Sequence, residues 1–283
     1  MIKEWIETYN PQTREELNQA LREIMQEIAL AGLHRSGFFE KAAFYGGTAL
    51  RIFHQLDRFS EDLDFSLLVR DDHFSLKPYL SGVIEEFEAL GMNVSVVEKI
   101  KSQKTNFDSA FLKSNTLWTV LNLENILQEM HVSGNMNIKI KIEIDTAPPQ
   151  GFLTEEKLLL KPFSFYVRCY QLPDLFAGKM HALLFRKWKQ RVKGRDWYDM
   201  EWYIRKGVRF NKTHFIQRAL DSNDLSIKEI SNAEFLQLLR EKIEATSIDA
   251  VKEDVIRFIA DEDKLSIWSK DYFFDLIERI KLD

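Results

Sequence analysis

Residues that could bind a nucleotide and a metal ion lie close together between Tyr45 and Leu67. Gly46 and Gly47 follow a short apolar run and precede a helix candidate, TALRIFHQL, and the carboxylates of Asp62 and Asp64 follow. The first N–H groups of a helix favour an anion, and glycine lets a phosphate approach the backbone closely. Two carboxylates on one face of a strand repel each other unless a cation lies between them, and oxygen ligands suit Mg²⁺ or Mn²⁺. The pattern therefore predicts a site for a nucleoside triphosphate (NTP) and a divalent metal ion.

Hydrophobic periodicity indicates which elements position these residues. Between about residues 42 and 147, short apolar runs alternate with helical stretches, which is typical of an α/β or α+β core. NIKIKIEIDTAPP alternates strictly and predicts a strand with isoleucines on one face and Lys139, Lys141, Glu143 and Asp145 on the other. SFYVRCYQL is the last strand candidate, and from Pro173 the pattern predicts a bundle of helices to the end.

The N-terminal segment predicts one amphipathic helix. Thr13 and Glu16 form a capping-box pattern, apolar residues follow at helical spacing, and Gly32 is the predicted stop. Residues 99–130 show no pattern that assigns them to an element. We therefore expect an N-terminal helix packed on the core over 1–35, the core over 36–170 and a C-terminal helical domain over 171–283.

Composition limits the classes of protein to consider. The 283 residues are 45% hydrophobic, which is enough for a substantial core and excludes general disorder. A single cysteine, Cys169, excludes an intramolecular disulfide framework, and no apolar stretch is long enough for a membrane span. The N-terminus has acidic residues where a signal peptide would be apolar, so we expect a cytoplasmic protein. The net charge of −5 argues against a general nucleic-acid coat but allows a local basic patch.

Three separated blocks carry a resemblance to a known family. GGTALRIFHQLDRFSEDLDF resembles the first signature of nucleotidyltransferases with the DNA polymerase β-like core. Together with IKIEIDTAPP and DLFAGKMHALLFRKWKQRVKGRDWYDMEWYI, it is similar to the AbiEii/AbiGii toxin family, over roughly residues 43–204. The resemblance implies an α+β fold, in which a mixed sheet flanked by helices forms the nucleotidyltransferase core.

The same resemblance implies roles for individual residues. It assigns nucleotide binding to Gly46, Gly47, Thr48 and Lys179, with Ser60 as a further hydroxyl donor. It assigns metal binding to Asp62 and Asp64, with Glu143 as the better match for a third carboxylate and Asp145 sharing that task. Asp196 matches the catalytic aspartate of the last block, whereas we interpret Asp199 as structural.

The implied activity is metal-dependent transfer of a nucleoside monophosphate (NMP) from an NTP, by a toxin of a bacterial toxin–antitoxin or abortive-infection system. The implied cofactor is Mg²⁺ or Mn²⁺, and the implied partners are an RNA (tRNA-like) acceptor and a DNA-binding antitoxin encoded nearby. RKWKQRVKGRD, residues 186–196, interleaves basic residues with Trp188 and suits a phosphate backbone and a stacked base. An ordinary solvated helix end explains the same stretch equally well.

Other functions stay open on the sequence alone. The same core could modify a small molecule or a protein, or could bind nucleotides without catalysis. A metal nuclease would need a lysine facing the metal from the carboxylate strand, and Lys141 lies on the correct face of that strand.

Overall fold

The computed structural model describes residues 2–98, 116–123, 137–186 and 192–282. The helices are α1 Ile2–Glu7, α2 Arg14–Arg35, α3 Gly46–His54, α4 Lys77–Ala89, α5 Leu172–Phe185, α6 Gly194–Arg205, α7 Lys212–Asp221, α8 Asn232–Ala245, α9 Ile248–Val255 and α10 Lys270–Ile277. The strands are β1 Ala42–Tyr45, β2 Asp62–Leu67, β3 Ser95–Glu98, β4 Thr116–Leu123, β5 Ile138–Asp145, β6 Thr154–Leu159, β7 Phe165–Tyr170, β8 Arg209–Phe210 and β9 Lys281–Leu282. The predicted α+β class is confirmed.

The chain forms two compact units. The first comprises Met1–Phe53, Ser60–Pro148 and Glu155–Cys169, and the second comprises His54–Phe59, Pro149–Thr154 and Tyr170–Asp283. A mixed seven-stranded sheet in the order β3-β4-β5-β2-β1-β7-β6 organises the first unit. β1 runs antiparallel to β2, and β2 runs parallel to β5.

The central strands β2 and β5 follow the predicted alternation. Leu63 and Phe65 of β2 have no exposed surface, and neither do Ile142 and Ile144, their register partners on β5. The polar residues between them therefore share the opposite face of the sheet, as the period of two requires.

Helix α2 packs on α4 through glycines. The predicted capping box of α2 is confirmed, with Thr13 accepting from the Glu16 amide. The prediction that Gly32 ends the helix is wrong, because α2 continues to Arg35. A Cβ at Gly32 would lie 2.4 Å from the Cα of Val83, so this glycine permits close approach of two helices.

The second unit is mainly helical and has an aromatic core. Phe176 stacks on Tyr203 with ring centroids 4.6 Å apart, and Phe210 stacks on Phe235 at 4.5 Å. Helix to the end of the chain was predicted, but β8 and β9 pair in parallel as a small separate sheet. Of the helices that the structure describes, none has the length and apolar character needed to cross a membrane.

Candidate active site

The Gly-Gly turn lies directly against the first carboxylate strand. β1 ends at Tyr45, which is the register partner of Asp64, and α3 begins at Gly46. Gly46 has a φ of +85°, and a Cβ on it would lie 2.4 Å from Oδ2 of Asp64. Because only glycine avoids both the strained backbone and this overlap, Gly46 brings the N-terminus of α3 next to the Asp64 carboxylate. Gly47 follows in the first turn of α3 and is partly exposed.

Two buried polar residues fix the start of β2. Thr48 has no exposed surface, and its hydroxyl donates to the carbonyl of Asp62 at 2.5 Å. Gln26 of α2, 1% exposed, donates its side-chain amide to the carbonyls of Ser60 and Glu61 at 3.2 and 3.0 Å. Buried amide and hydroxyl groups require hydrogen-bond partners. Here the partners are backbone carbonyls at the start of β2, so both contacts fix the backbone that carries the Asp62 and Asp64 carboxylates.

Four charged side chains share one face of β2 and β5, and we call them the charged face: Asp62, Asp64, Lys141 and Glu143. Asp62 is the register partner of Lys141, and Asp64 is the register partner of Glu143. The Lys141 ammonium donates to a carboxylate oxygen of Glu143. Partial burial acts to lower the pKa of Lys141, but the bond to Glu143 and the charges of all three carboxylates raise it overall.

Asp145 lies further along β5, in a different environment. It is 7% exposed and is the register partner of Ser66, which is also buried. Its Oδ1 accepts from the Ala147 amide at 3.1 Å, which closes the turn after the strand. The register thus sets Glu143 beside Asp64 and leaves Asp145 two register positions further along the strand.

The donor set fits a hard divalent cation by its chemistry. Asp62, Asp64 and Glu143 supply carboxylate oxygens, and the ammonium of Lys141 is already a cation on this face. Within the described parts of the chain, however, no three Asp, Glu, His or Cys side chains are placed to hold a metal ion together. Glu143 is bonded to Lys141 instead.

Lys179 and Asp196, the predicted site residues from the family's last sequence block, lie in the second unit and form an ion pair there. Lys179 Nζ is 2.8 Å from Oδ1 of Asp196 and 2.8 Å from Oδ2 of Asp199. Arg58 forms a two-pronged ion pair with Asp199, at 2.6 and 2.7 Å, and both side chains are almost fully buried. Burial acts to raise the pKa of both aspartates, but Arg58 and Lys179 beside Asp199, and chiefly Lys179 beside Asp196, lower them.

The described part of the basic stretch has internal partners. Arg186 lies 3.6 Å from Asp196, and the Arg195 guanidinium lies 4.1 Å from the centre of the Phe258 ring. Burial, with the nearby cations, lowers the pKa of Lys193 to about 8 despite the attraction of Asp196. Lys187, Trp188, Lys189 and Arg191, the rest of the predicted nucleic-acid contact, lie outside the described residues.

Sequence reasoning missed the roles of Arg58, Asp199 and Gln26. Asp199 is expected to be structural as a carboxylate near a helix N-terminus, but the structure pairs it with Arg58, 141 residues earlier, and no local pattern links the two. The Arg-x-Ser-x-Asp-x-Asp spacing before β2 contains Arg58 and was the one available signal. Gln26 lies among apolar residues of α2, where a buried amide could have been recognised as needing a partner.

The fold is that of nucleotidyltransferases. It is similar to MenT4, a nucleotidyltransferase toxin from Mycobacterium tuberculosis, with a TM-score of 0.60 and 14% identity over 98% of this chain and 90% of that one. It is also similar to JHP933 from Helicobacter pylori, with a TM-score of 0.52 and 14% identity over 93% of this chain and 91% of that one. A comparison with curated protein sequences finds no significant match.

A family model described as nucleotidyl transferase AbiEii toxin, type IV toxin–antitoxin system, matches residues 28–276. The chain therefore belongs to the AbiEii family of nucleotidyltransferase toxins, and the resemblance inferred from the three sequence blocks is confirmed. Nucleotidyltransferases generally use an NTP and divalent metal ions, and membership of a toxin–antitoxin family implies an antitoxin as partner.

Proposed function

We propose that this protein transfers NMP from an NTP to a hydroxyl group of an RNA acceptor, in a reaction that depends on a divalent metal ion. The observation that carries the proposal is the contact between Gly46 and the Asp64 carboxylate. It sets a helix N-terminus, which favours the phosphates of the NTP, directly beside a carboxylate suited to a metal ion. Toxicity would follow from modification of the acceptor.

The proposed site residues of the first unit divide into those that bind the nucleotide and those that hold the metal ion. Gly46, Gly47 and the first amides of α3, including that of Thr48, would bind the triphosphate, with the Ser60 hydroxyl as a further donor. The buried hydroxyl of Thr48 itself bonds to the carbonyl of Asp62. Asp62 and Asp64 would hold Mg²⁺ or Mn²⁺, with remaining ligands from phosphate and water. When bound, such ions polarise the α-phosphate and neutralise the departing pyrophosphate.

The third carboxylate of the metal site is Glu143 in this proposal. It is the register partner of Asp64, whereas Asp145 is buried and bonded to a backbone amide. Glu143 would have to leave Lys141 to reach a metal ion. We assign Asp145 to holding the turn after β5, with a secondary place in the metal site.

Lys179 and Asp196 are assigned to the nucleotide site through the family's last sequence block. The Lys179 ammonium is held by two aspartates, which fixes its position. A positioned ammonium suits an NTP phosphate as a point charge. Lys179→Ala should weaken NTP binding, and an unchanged binding isotherm would remove Lys179 from the site.

The acceptor is proposed to be RNA because of the basic stretch. In the sequence, Lys187 and Lys189 flank Trp188 and Arg191 follows, and cations interleaved with an aromatic residue suit a phosphate backbone with a stacked base. The partner that restrains the activity would be an antitoxin encoded nearby, which also binds DNA.

The reaction is tested by incubating the protein with each α-³²P-labelled NTP, Mg²⁺ and total cellular RNA. Wild type should label a discrete RNA band, whereas Asp62→Asn and Asp64→Asn, which keep the side-chain shape, should not. Asp72→Asn is the matched control, because Asp72 is an exposed carboxylate of the same unit that pairs with Arg70. Full activity of Asp62→Asn or Asp64→Asn would refute the assignment, and label on protein rather than RNA would refute the acceptor.

RNA binding is tested separately by charge reversal at Lys187, Lys189 and Arg191. If these residues contact phosphates, the affinity for RNA should fall and its dependence on salt should become weaker. Charge reversal at Lys252 and Lys228, two lysines remote in sequence, is the control. An unaltered salt slope would favour an ordinary solvated helix end.

A further inference from the structure

Lys141 shares the charged face with three carboxylates. In the parallel pair of β2 and β5, it is the register partner of Asp62, and Asp64 is the register partner of Glu143. Strands lie about 4.8 Å apart, so the four side chains form the corners of a small quadrilateral. Three corners are negative and one is positive.

The hydrogen bond of Lys141 determines what Glu143 can do. The ammonium donates to a carboxylate oxygen of Glu143 and also interacts with the charges of Asp62 and Asp64. A metal ion bound by all three carboxylates would compete for the same negative charge. The Lys141 ammonium, a cation fixed to the strand, thus lies where a metal ion from solution would be attracted.

An ordinary surface ion pair is the simplest alternative explanation. The side chains of Lys141 and Glu143 are 37% and 31% exposed, and exposed pairs contribute little to stability. That explanation does not account for the register, which brings carboxylates of two strands to the same ammonium. Like charges this close are unfavourable without a cation between them.

We propose that Lys141 is a positioning residue that competes with the divalent metal ion for Glu143. It neutralises part of the charged face when no metal ion is bound, and it yields Glu143 when metal and NTP arrive. This inference rests on the proposed function, because it assumes that the charged face is the metal site. Lys141 thereby makes binding of the free metal ion weaker than three unopposed carboxylates would allow.

The direct test measures Mn²⁺ binding without NTP, by electron paramagnetic resonance of the free ion, in wild type and variants. Lys141→Met should bind Mn²⁺ up to about fivefold more tightly, since a partly exposed ion pair is worth up to about 1 kcal/mol. Lys141→Arg, which keeps the positive charge, should bind like wild type. Lys139→Met is the matched control, because Lys139 lies on the same face of the same strand and is exposed.

A second variant shows whether the effect passes through Glu143. In a Glu143→Gln background the competition is already removed, so Lys141→Met should change Mn²⁺ affinity little. An equally large gain in that background would overturn the proposal in favour of a general effect of charge. Thermal denaturation in EDTA is a further readout: Lys141→Met should melt lower than wild type and gain more from added Mn²⁺.

The outcomes separate this inference from the proposed function. Tight Mn²⁺ binding by wild type that Lys141→Met leaves unchanged, or weakens, would overturn the inference alone. Failure of wild type and all variants to bind Mn²⁺ would overturn the metal site of the proposed function and this inference together.

Discussion

Replacing Gly46 by alanine tests whether the glycine turn positions the Asp64 carboxylate. The substitution has two effects that can be separated. Gly46 has a φ of +85°, a conformation that disfavours an L side chain by about 1–2 kcal/mol. The new Cβ would also lie 2.4 Å from Oδ2 and 3.1 Å from Cγ of Asp64. The carboxylate must therefore move by about 1 Å to restore normal contact.

Gly91→Ala is the matched control in the same unit. Gly91 has a φ of +75°, and nothing lies within 4 Å of the Cβ that alanine would add. Gly91→Ala should lose only the about 1–2 kcal/mol that an L side chain costs at positive φ. At about 2–4 °C per kcal/mol, its melting temperature should fall by about 2–8 °C. Gly46→Ala should lose about 1–3 kcal/mol more from overpacking.

Gly46→Ala and Gly91→Ala should differ more in Mn²⁺ binding and NMP transfer than in stability. Because Oδ2 is the end of a side chain that can rotate, part of the strain at Gly46→Ala is relieved by moving the carboxylate. Mn²⁺ binding and NMP transfer should therefore fall in Gly46→Ala and stay at wild-type levels in Gly91→Ala. If the two variants matched in stability and both bound Mn²⁺ like wild type, the argument that Gly46 positions Asp64 would be refuted.

Three further substitutions test the packing and the charges of the two units. Arg58→Met removes one of the two cations that pair with the buried Asp199 and leaves Lys179, so it should destabilise the protein by about 3 kcal/mol in urea denaturation, the lower end for breaking a buried pair; Arg70→Met, in an exposed pair, should have little effect. Burial raises the pKa of Glu27 to about 8, so the folded state keeps a proton that the unfolded state releases. Stability should thus decline as pH rises from the carboxyl's usual range through about 8, and Glu27→Gln should flatten that decline in melting curves. Gly32→Ala should lower the melting temperature by several degrees through overlap with α4, whereas Gly178→Ala, in ordinary contact only, should stabilise its helix by about 0.5–1 kcal/mol.

The parts of the site that sequence predicted are those specified by short-range patterns. An apolar run, two glycines and a helical period predict β1, the turn and α3, and strict alternation predicts β5 and the face on which Glu143 lies. Each of these patterns is contained within about ten residues. The direction of every side chain on the charged face followed from the period of two alone.

The parts that sequence could not predict depend on which strands pair and in which register. The alternation places Lys141 and Glu143 on one face, but only the pairing of β2 with β5 sets them opposite Asp62 and Asp64. Gly32 is a similar case, because a glycine near the end of an apolar period is typical of a helix stop. Its neighbour on α4 is distant in sequence, so the close helix packing that requires it leaves no local signal.

The ion pair between Arg58 and Asp199 also has a consequence for the order of events during synthesis. The segment His54–Phe59 connects α3 to β2, yet it belongs to the second unit, and its buried guanidinium meets a partner 141 residues later. Because a ribosome makes the chain from its N-terminus, Arg58 cannot form this pair until residue 199 has been added. A nascent chain therefore contains the glycine turn, Asp62 and Asp64 long before the Arg58–Asp199 ion pair can fix the connection His54–Phe59. A chain that ends before residue 199 never forms this ion pair.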